Sequence, residues 1–142
     1  MTTAREIMTS DVECAGVNDT VTEAARKMRD LGVGALPICG EDNRLQGMIT
    51  DRDIVLNCVA EGMDTTQTKV RDYAGEEVVT IGADDAIEDA LSMMSKHGVR
   101  RLPVIDGHDL VGMISQADIA RHLPEERVGD LVEAISAAPS DG

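Results

Sequence analysis

The strongest constraint on this chain is an internal repeat, because much of its sequence occurs twice. Residues 32–38 read Gly-Val-Gly-Ala-Leu-Pro-Ile, and residues 98–104 read Gly-Val-Arg-Arg-Leu-Pro-Val. Residues 47–54 read Gly-Met-Ile-Thr-Asp-Arg-Asp-Ile, and residues 112–119 read Gly-Met-Ile-Ser-Gln-Ala-Asp-Ile. The offsets of 66 (98 − 32) and 65 (112 − 47) differ by one residue, which falls in a loop where a change of length costs little. A repeat of this size is too long for a solenoid unit and short for an independent domain, which predicts two copies of a small module that share one core.

Hydrophobic periodicity and turn residues predict the element order β-α-β-β-α in each copy. In the first copy, the predicted elements are a lead-in at 4–8, a strand at 12–14, a helix that begins at Thr20 and ends at Gly32, strands at 35–39 and 45–50, and a helix at 51–60. In the second copy, they are a lead-in at 70–73, a strand at 78–81, a helix capped by Asp85 that ends at Gly98, strands at 102–105 and 110–115, and a helix at 116–123.

This order predicts an α+β protein. We expect each copy to form a three-stranded sheet with helices on one face, and the bare faces of the two sheets to pair. The predicted domains are residues 1–66 and residues 67–125, followed at 126–142 by a C-terminal helix and a flexible tail.

Charge and composition argue against several classes of partner. The chain has 27 acidic and 13 basic residues and a formal net charge of −14, which argues against binding to nucleic acid or to an anionic membrane surface. It has no Trp or Phe and a single Tyr, so aliphatic and methionine side chains must fill the core and almost no ring is available to stack on a base. No apolar stretch follows a basic N-terminal region and no run reaches membrane-spanning length, so we expect a cytoplasmic protein.

The repeated pattern resembles a known family. Apolar-Pro-apolar, a turn, and Gly-apolar-Ile-[Ser/Thr]-x-x-Asp-Ile occur twice in register, and over residues 4–123 this is similar to a pair of CBS domains, named after cystathionine β-synthase. The whole chain is similar to the stand-alone hypoxic response proteins of actinobacteria, which are CBS pairs with no attached enzyme. The resemblance implies a regulatory or sensing module, often a homodimer, that acts through its dimer or a protein partner. It also implies that the clefts of the module take an adenosine-containing ligand such as AMP, ADP or ATP.

The repeated Ser/Thr-x-x-Asp motif has two interpretations. Thr50 with Asp53, and Ser115 with Asp118, each stand where a predicted strand gives way to a helix. In the first interpretation, the carboxylate accepts hydrogen bonds from a ribose diol, while the hydroxyl and the free N–H groups of the helix start hold phosphate. In the second, the motif is a variant of the capping box that completes the first helical turn. The two interpretations are compatible with each other.

The two copies differ around this motif. The second copy has Arg100 and Arg101 where the first copy has Gly-Ala. An arginine pair near a helix start is suited to binding phosphate, and it is equally compatible with a solvated pair on an acidic surface. In the first copy, Asp51 places a negative charge at the helix start. We therefore expect the second copy to hold the better site, and Asp118→Ala to weaken nucleotide binding more than Asp53→Ala.

Two apolar segments have a mainly structural interpretation. Leu36-Pro37 and Leu102-Pro103 lie in the second predicted strand of their copies, where Pro limits hydrogen bonding and fixes the backbone. The family resemblance implies that the same four residues also wall a nucleobase cleft.

The three cysteines show no Cys-x-x-Cys spacing, so a zinc site built from thiolates is unsupported. Cys14 and Cys39 end predicted neighbouring strands, which allows a disulfide between them. The alternative is a pair of buried thiols in a reducing cytoplasm. Cys58 lies on a predicted helix, and we interpret it as core filling.

The three histidines, His97, His108 and His122, all lie in the second copy. His97 and His122 stand near the ends of predicted helices, where the helix dipole favours histidine. The alternative is a shared Zn²⁺ site, for example across a dimer, although the spacing matches no zinc motif.

Sequence motifs of enzymes are missing from the chain. It contains no Gly-x-x-x-x-Gly-Lys-[Ser/Thr], no complete Gly-x-Gly-x-x-Gly, no Gly-x-Ser-x-Gly and no His-Glu-x-x-His. The leading hypothesis is therefore a non-catalytic sensor of an adenosine-containing ligand or of a redox state. The alternative is a ligand-free interaction or stress protein that is stabilised by dimerisation, by a Cys14–Cys39 disulfide or by bound zinc.

Overall fold

The computed structural model of the chain describes residues 1–74 and 78–122. The C-terminal helix and tail predicted at 126–142 lie outside the described residues. The chain divides into two compact units. Of the described residues, the first-copy unit comprises 13–74 and Val78, and the second-copy unit combines Met1–Val12 with 79–122.

The described elements follow the predicted order in both copies. The first copy contains α1 (Ala4–Ile7), β1 (Ala15–Gly16), α2 (Val21–Leu31), β2 (Ala35–Cys39), β3 (Leu45–Thr50) and α3 (Asp51–Ile54), which continues as a π-helical turn over Val55–Val59. The second copy contains a 3₁₀ turn (Val70–Tyr73), β4 (Ile81–Gly82), α4 (Ile87–His97), β5 (Arg101–Asp106), β6 (Asp109–Ser115) and α5 (Gln116–Ala120).

Each unit holds one three-stranded sheet. The strand orders are β1-β2-β3 and β4-β5-β6. In both sheets the first strand runs parallel to the second, and the second pairs with the third as an antiparallel hairpin. The predicted α+β class and the two three-stranded sheets are therefore confirmed.

Helix α2 has the boundaries that its sequence predicts. Thr20 caps its start, because Glu23 N donates to Thr20 Oγ1 at 3.1 Å and Thr20 N donates to Glu23 Oε2 at 3.4 Å. Gly32 ends the helix in the left-handed conformation, with a φ of 68°, which glycine adopts without strain. The buried face of the helix consists of Val21, Ala24 and Met28.

Each unit buries a core of aliphatic and methionine side chains from its helices and its sheet. The fully buried large side chains of the first-copy unit are Val21, Leu36, Ile38, Ile49 and Val70. Those of the second-copy unit are Ile87, Met94, Leu102, Val104, Ile114 and Ile119. These positions follow the helical and strand periodicities of the sequence.

The first strand of each copy begins later than predicted. Strand β1 occupies Ala15–Gly16 and β4 occupies Ile81–Gly82, rather than 12–14 and 78–81. An aspartate three residues beyond each strand's last residue closes the following turn. Gly16 N donates to Asp19 Oδ2, and Gly82 N donates to Asp85 Oδ2, both at 2.9 Å.

The prediction that Asp85 caps α4 is therefore wrong. The residue at the cap position is Ala86, which makes no side-chain cap hydrogen bond. The Asp85 carboxylate is instead committed to the turn after β4, where it accepts the Gly82 N–H.

The helix predicted at 51–60 changes type along its length. Its first turn is α-helical over Asp51–Ile54, and the next five residues form the π-helical turn, in which Ala60 N donates to Val55 O at 2.8 Å. Cys58 is fully buried on this turn, whereas Val55 and Val59 are exposed. The last predicted helix ends at Ala120 in the described chain, short of residue 123.

The lead-in of the first copy packs in the second-copy unit. Ala4 N donates to Asp85 O and Arg5 N donates to Ala83 O, both at 2.9 Å. Thr9 pairs with Met113 of β6 through two backbone hydrogen bonds of 2.8 and 3.0 Å. The lead-in thereby adds a bridge to the open edge of the β4-β5-β6 sheet.

The lead-in of the second copy packs, conversely, in the first-copy unit. Val70 is fully buried in the first-copy core, and its N–H donates to Asp19 O at 2.9 Å. The linker in front of it covers the start of α2, because Val21 N donates to Thr68 O at 2.9 Å. The two copies therefore exchange their lead-ins. The predicted boundary after residue 66 follows the repeat in the sequence, whereas the packing groups each lead-in with the opposite copy.

The repeated glycine of the Gly-apolar-Ile motif marks the place where each lead-in passes over a strand. A Cβ on Gly112 would lie 2.7 Å from the backbone oxygen of Thr9. A Cβ on Gly47 would lie 3.0 Å from Ala74 Cα, which belongs to the other lead-in. Both sites need glycine because the backbone approaches too closely for a side chain.

We predict that Gly112→Ala lowers the free energy of unfolding by about 1–3 kcal/mol, the usual cost of overpacking. The added methyl must displace the backbone at Thr9, which two hydrogen bonds hold to β6. Urea denaturation followed by circular dichroism measures the change. Gly34→Ala is the control, because its Cβ would lie 3.1 Å from an exposed carboxylate oxygen of Asp51 that is free to move. An equal effect of the two substitutions would contradict the role assigned to Gly112.

Candidate functional site

Both Ser/Thr-x-x-Asp motifs form capping boxes. At the start of α3, Thr50 N donates to Asp53 Oδ2 at 2.9 Å and Asp53 N donates to Thr50 Oγ1 at 3.0 Å. At the start of α5, Ser115 N donates to Asp118 Oδ2 at 2.9 Å and Asp118 N donates to Ser115 Oγ at 3.2 Å. Caps of this kind contribute about 1 kcal/mol each. The capping interpretation is confirmed in both copies.

Each capping carboxylate keeps one oxygen outside the cap. Within residues 1–74 and 78–122, Asp53 Oδ1 has no hydrogen-bond partner. Asp118 Oδ1 lies 3.4 Å from Nη1 of Arg121, whose side chain is 70% exposed. A carboxylate oxygen in this position can accept a hydroxyl while the other oxygen maintains the cap. Capping and ribose binding are thus chemically compatible at both sites.

The first N–H groups of α3 are all occupied by the protein itself. Asp51 N donates to Gly34 O at 2.9 Å, and Arg52 N donates to Asp51 Oδ1 at 2.8 Å. Asp53 N belongs to the cap. A carboxylate therefore already covers this helix start, and a phosphate there would meet its negative charge.

The start of α5 is less occupied. Gln116 N donates to Arg100 O at 2.8 Å, and Asp118 N belongs to the cap. In the described part of the chain, the N–H of Ala117 has no partner. No carboxylate of α5 stands where Asp51 stands in α3, because that position is Gln116.

The arginine pair lies beside the second motif. Arg101 is in register with Ser115 across the β5–β6 hairpin, and the carbonyl of Arg100 accepts the first N–H of α5. Both side chains are exposed, and neither forms an ion pair with another described residue. The two cations are therefore solvated and available to an anionic ligand.

All four apolar cleft candidates are buried, and they separate into two groups by the sheet face on which they lie. Leu36 and Leu102 are buried in the hydrophobic cores, with exposures of 2% and 0%. Pro37 pairs in register with Met48, and Pro103 with Met113. Because side chains alternate along a strand, the prolines lie on the sheet face opposite the core leucines. The core packing explains the leucines without a ligand.

The single tyrosine of the chain is committed to the first-copy core. Tyr73 is half-buried against the cluster that contains Cys58. Burial, with Cys58 as neighbour, raises the pKa of Tyr73 to about 12, so the phenol is neutral at physiological pH. Tyr73 belongs to the second lead-in, and its ring packs against the core of the first-copy unit.

Cys14 and Cys39 form a disulfide. Their Cα atoms are 5.7 Å apart and the S–S distance is 2.07 Å. The pairing follows from the register, because Gly16 of β1 lies beside Cys39 and Cys14 stands two residues earlier. The disulfide is confirmed and the buried-thiol alternative is wrong for this pair. Cys58 is free and fully buried, as predicted.

The histidines are placed differently from one another. His122 Nδ1 lies 3.0 Å from the backbone oxygen of Asp118, which leaves Nε2 for another contact. His97 is exposed in the last turn of α4, and helices α4 and α5 contact each other. His108 lies in the β5–β6 turn, at the opposite end of β6 from α5, a strand length of about 20 Å away.

No group of three His, Cys, Asp or Glu residues in the two described ranges is arranged to hold a metal ion. The described residues of one chain therefore do not provide a zinc site by themselves, and His108 does not join the other two histidines.

Large apolar side chains are exposed mainly in the first copy. The exposed set, apart from Met1, is Leu31, Val33, Val55, Leu56, Val59 and Met63, with exposures of 37–58%. The second copy has Ala120 and Arg121 at the positions that correspond to Val55 and Leu56. The sequence did not predict this surface. The periodicity of residues 51–60 does not show that the chain forms a π-helical turn there, with Val55, Leu56 and Val59 exposed.

No helix in the described part of the chain is long and apolar enough to cross a membrane.

Comparison with known proteins identifies close relatives. The chain is 48% identical to hypoxic response protein 1 of Mycobacterium tuberculosis over 95% of its length and 94% of the relative. It is 37% identical to the CBS domain-containing protein YhcV of Bacillus subtilis, with 96% of both chains covered.

Solved structures show the same fold. A crystal structure of hypoxic response protein I with two coordinated zinc ions matches with a TM-score of 0.81 and 49% identity, covering 87% of this chain and all of the other. The CBS domain pair of protein MJ0100, solved with 5′-methylthioadenosine and S-adenosylmethionine, matches with a TM-score of 0.74 and 26% identity, covering 86% of this chain and 95% of the other.

The model of the CBS domain family matches residues 4–59 and 70–125, one match in each copy. These matches, the duplicated sheets and the relatives just described agree. The chain belongs to the CBS-domain family, as a tandem pair.

Proposed function

We propose that this CBS pair is a non-catalytic regulatory module that binds an adenosine-containing ligand at the strand–helix junction of its second copy. The observation that carries the proposal is the set of polar groups around the Ser115–Asp118 cap that have no partner among the described residues or, for Asp118, only a 3.4 Å surface contact with Arg121. These groups are the outer carboxylate oxygen of Asp118, the N–H of Ala117, and the solvated guanidinium groups of Arg100 and Arg101. The adenosine compounds bound to the MJ0100 pair support this ligand class.

Each group has a role that follows from its chemistry. Asp118 Oδ1 accepts the two hydroxyls of a ribose, because Oδ2 is already held by Ser115 N. Arg100 and Arg101 bind the phosphate, since guanidinium donates to phosphate oxygens in a bidentate manner. Arg121 exchanges its weak contact with Asp118 for the ligand, because a pair at 3.4 Å on the surface contributes little stability.

The second copy is the better site because its charges suit an anion. The first copy presents Asp51 at the corresponding helix start, where this residue already occupies the Arg52 N–H. A Cβ on Gly34 would lie 3.1 Å from a carboxylate oxygen of Asp51, and the second copy has Arg100 at the position of Gly34. We propose that Thr50 and Asp53 form at most a weaker nucleoside site.

The regulatory consequence follows from linkage. A ligand shifts the population of two conformations only as far as it binds one of them more tightly. We propose that binding in this way alters what the CBS pair presents to a second chain or to a protein partner. This role requires no reaction at the site.

We predict that Asp118→Ala weakens AMP or ATP binding about tenfold or more, since hydrogen bonds to a charged group contribute about 1.5–3 kcal/mol. Asp53→Ala is the matched control, because it removes a capping box of the same geometry. Its effect on affinity is expected to be small. Isothermal titration calorimetry with AMP, ADP, ATP, NAD and S-adenosylmethionine measures both variants.

Two results would contradict this proposal. Equal losses in the two variants would show that the second copy is not preferred. If none of these compounds binds to the wild-type protein, the ligand class itself is wrong.

We also propose a homodimer in which a second copy of the chain covers the apolar side chains of the π-helical turn. Val55, Leu56 and Val59 are 42–58% exposed on this turn, and Met63 follows it at 47%. The net charge of −14 makes a second acidic protein a poor partner except through an apolar contact.

Val59→Glu is expected to convert the dimer into a monomer of 15.2 kDa, because a carboxylate would be buried without a partner. Light scattering coupled to size-exclusion chromatography measures the mass. Asn57→Glu adds the same charge to the same turn without removing apolar surface, and this control should remain dimeric. A wild-type protein that is monomeric at all accessible concentrations would refute the proposal.

A zinc-stabilised stress protein is the second candidate function. Two observations favour it: the relative with two coordinated zinc ions, and the contact of His122 Nδ1 with a backbone carbonyl. Such a contact fixes the tautomer that leaves Nε2 free to bind a metal. We propose His97 and His122 as ligands, with further ligands from outside the described residues of one chain, such as a second copy.

Zinc added to metal-free protein is expected to raise the midpoint of thermal unfolding by several degrees, and His97→Ala or His122→Ala should abolish the shift. His108→Ala is the control and should retain it, because His108 lies at the far end of β6. Elemental analysis of untagged protein gives the zinc content. A shift that survives the His122 substitution would exclude this site.

A further inference from the structure

The disulfide joins two cysteines in unlike surroundings. Cys39 is the last residue of β2 and is 5% exposed. Cys14 precedes β1 and is partly exposed. A thiolate that attacks a disulfide must approach one sulfur along the S–S axis, so access decides which sulfur reacts. The exposures favour attack at Cys14.

A lysine contacts the backbone of the same cysteine. Lys27 Nζ of α2 donates to the backbone oxygen of Cys14 at 2.8 Å, and it lies 3.4 Å from Asp19 Oδ2. This bond crosses from the helix to the residue that precedes β1. In the reduced protein, a cation held at the backbone of Cys14 would favour a thiolate on this cysteine.

The other charged groups of the surrounding elements are carboxylates, ions paired with one another, and Arg26 of α2, which is exposed and forms no ion pair with another described residue. The Asp19 carboxylate accepts hydrogen bonds from Lys27 and from the Gly16 N–H, and Glu13 precedes Cys14 in the chain. The hairpin after Cys39 carries Glu41 and an Asp42–Arg44 pair at 3.5 Å. Among the cations of these described elements, Lys27 is the one that contacts a cysteine residue.

We propose that Cys14, whose sulfur is the more accessible of the two, is a site of thiol–disulfide exchange with small thiols. Lys27 is the positioning residue that favours Cys14 as the attacking thiolate in the reduced protein. The thiolate of glutathione forms a new S–S bond to Cys14 Sγ. The Cys14–Cys39 bond breaks, its electron pair leaves on Cys39 Sγ, and that thiolate takes a proton from water. A second glutathione thiolate attacks the glutathione sulfur, which releases oxidised glutathione and leaves Cys14 as a thiolate.

The reverse reaction uses the same residues. In the reduced protein, the Cys14 thiolate attacks oxidised glutathione and releases one glutathione, and Cys39 then displaces the second to restore the bond. The exchange itself breaks no hydrogen bond of the two-residue pairing between β1 and β2. Glutathione on Cys14 therefore lies at the start of the first-copy unit, and its attachment does not require the loss of a strand from the sheet. This inference does not depend on the adenosine site.

Brief exposure of the oxidised protein to glutathione, followed by acid quenching, alkylation and peptide mapping, tests the site. The expected result is a glutathione mixed disulfide on Cys14 and an alkylated thiol on Cys39. Glutathione on Cys39, or equal labelling of both, would overturn the proposal. Free thiols at both positions in air-oxidised protein would overturn it as well.

The role of Lys27 is tested on the fully reduced protein, through the pH dependence of the iodoacetamide reaction at Cys14. Lys27→Gln is expected to move the profile to higher pH and to slow the reaction at pH 7 about threefold or more, while Lys27→Arg retains the wild-type profile. Arg26→Gln removes one charge from the neighbouring position of the same helix and is the matched control. If Arg26→Gln shifts the profile as much as Lys27→Gln, Lys27 has no specific role.

Discussion

The close passage of a lead-in backbone over a glycine of the third strand is the constraint on which the rest of this fold depends. At Gly112 the oxygen of Thr9 leaves no room for a Cβ, and at Gly47 the backbone of Ala74 comes nearly as close. Because each lead-in is seated in the unit of the opposite copy, neither copy completes its own unit from contiguous sequence. Each unit is therefore completed by a segment that belongs, by sequence, to the other copy.

The same duplication explains how one architecture contains two similar helix starts with different flanking residues. The caps of α3 and α5 have nearly the same geometry, since both place a hydroxyl and a carboxylate at the same offsets. The difference lies in the flanking residues. In the first copy, Asp51 covers the helix start and lies beside Gly34. In the second copy, arginines stand at these strand positions without ion-pair partners among the described residues, which is why we assign the ligand to that copy.

The two halves also differ in how they meet other molecules. The first copy carries the disulfide, the π-helical turn and most of the exposed apolar side chains. The second carries Arg100 and Arg101, which form no ion pair with another described residue, and all three histidines. If the proposed exchange site on the first copy and the proposed ligand site on the second are both present, oxidation state and ligand act on one molecule through separate groups.

The sequence by itself determined the repeat, the α+β class, the β2–β3 hairpin and the limits of α2, because periodicity, capping residues and helix-ending glycines act locally. It also narrowed the cysteine pairing to Cys14 and Cys39. Only the tertiary structure decided that the lead-ins are exchanged, that Asp85 closes a turn rather than capping a helix, and that Lys27 contacts Cys14. The exchange of lead-ins and the Lys27–Cys14 contact depend on packing between residues that are distant in sequence. The role of Asp85 depends on which of two nearby N–H groups it accepts, that of Gly82 or one at the start of α4. The local sequence pattern does not decide either.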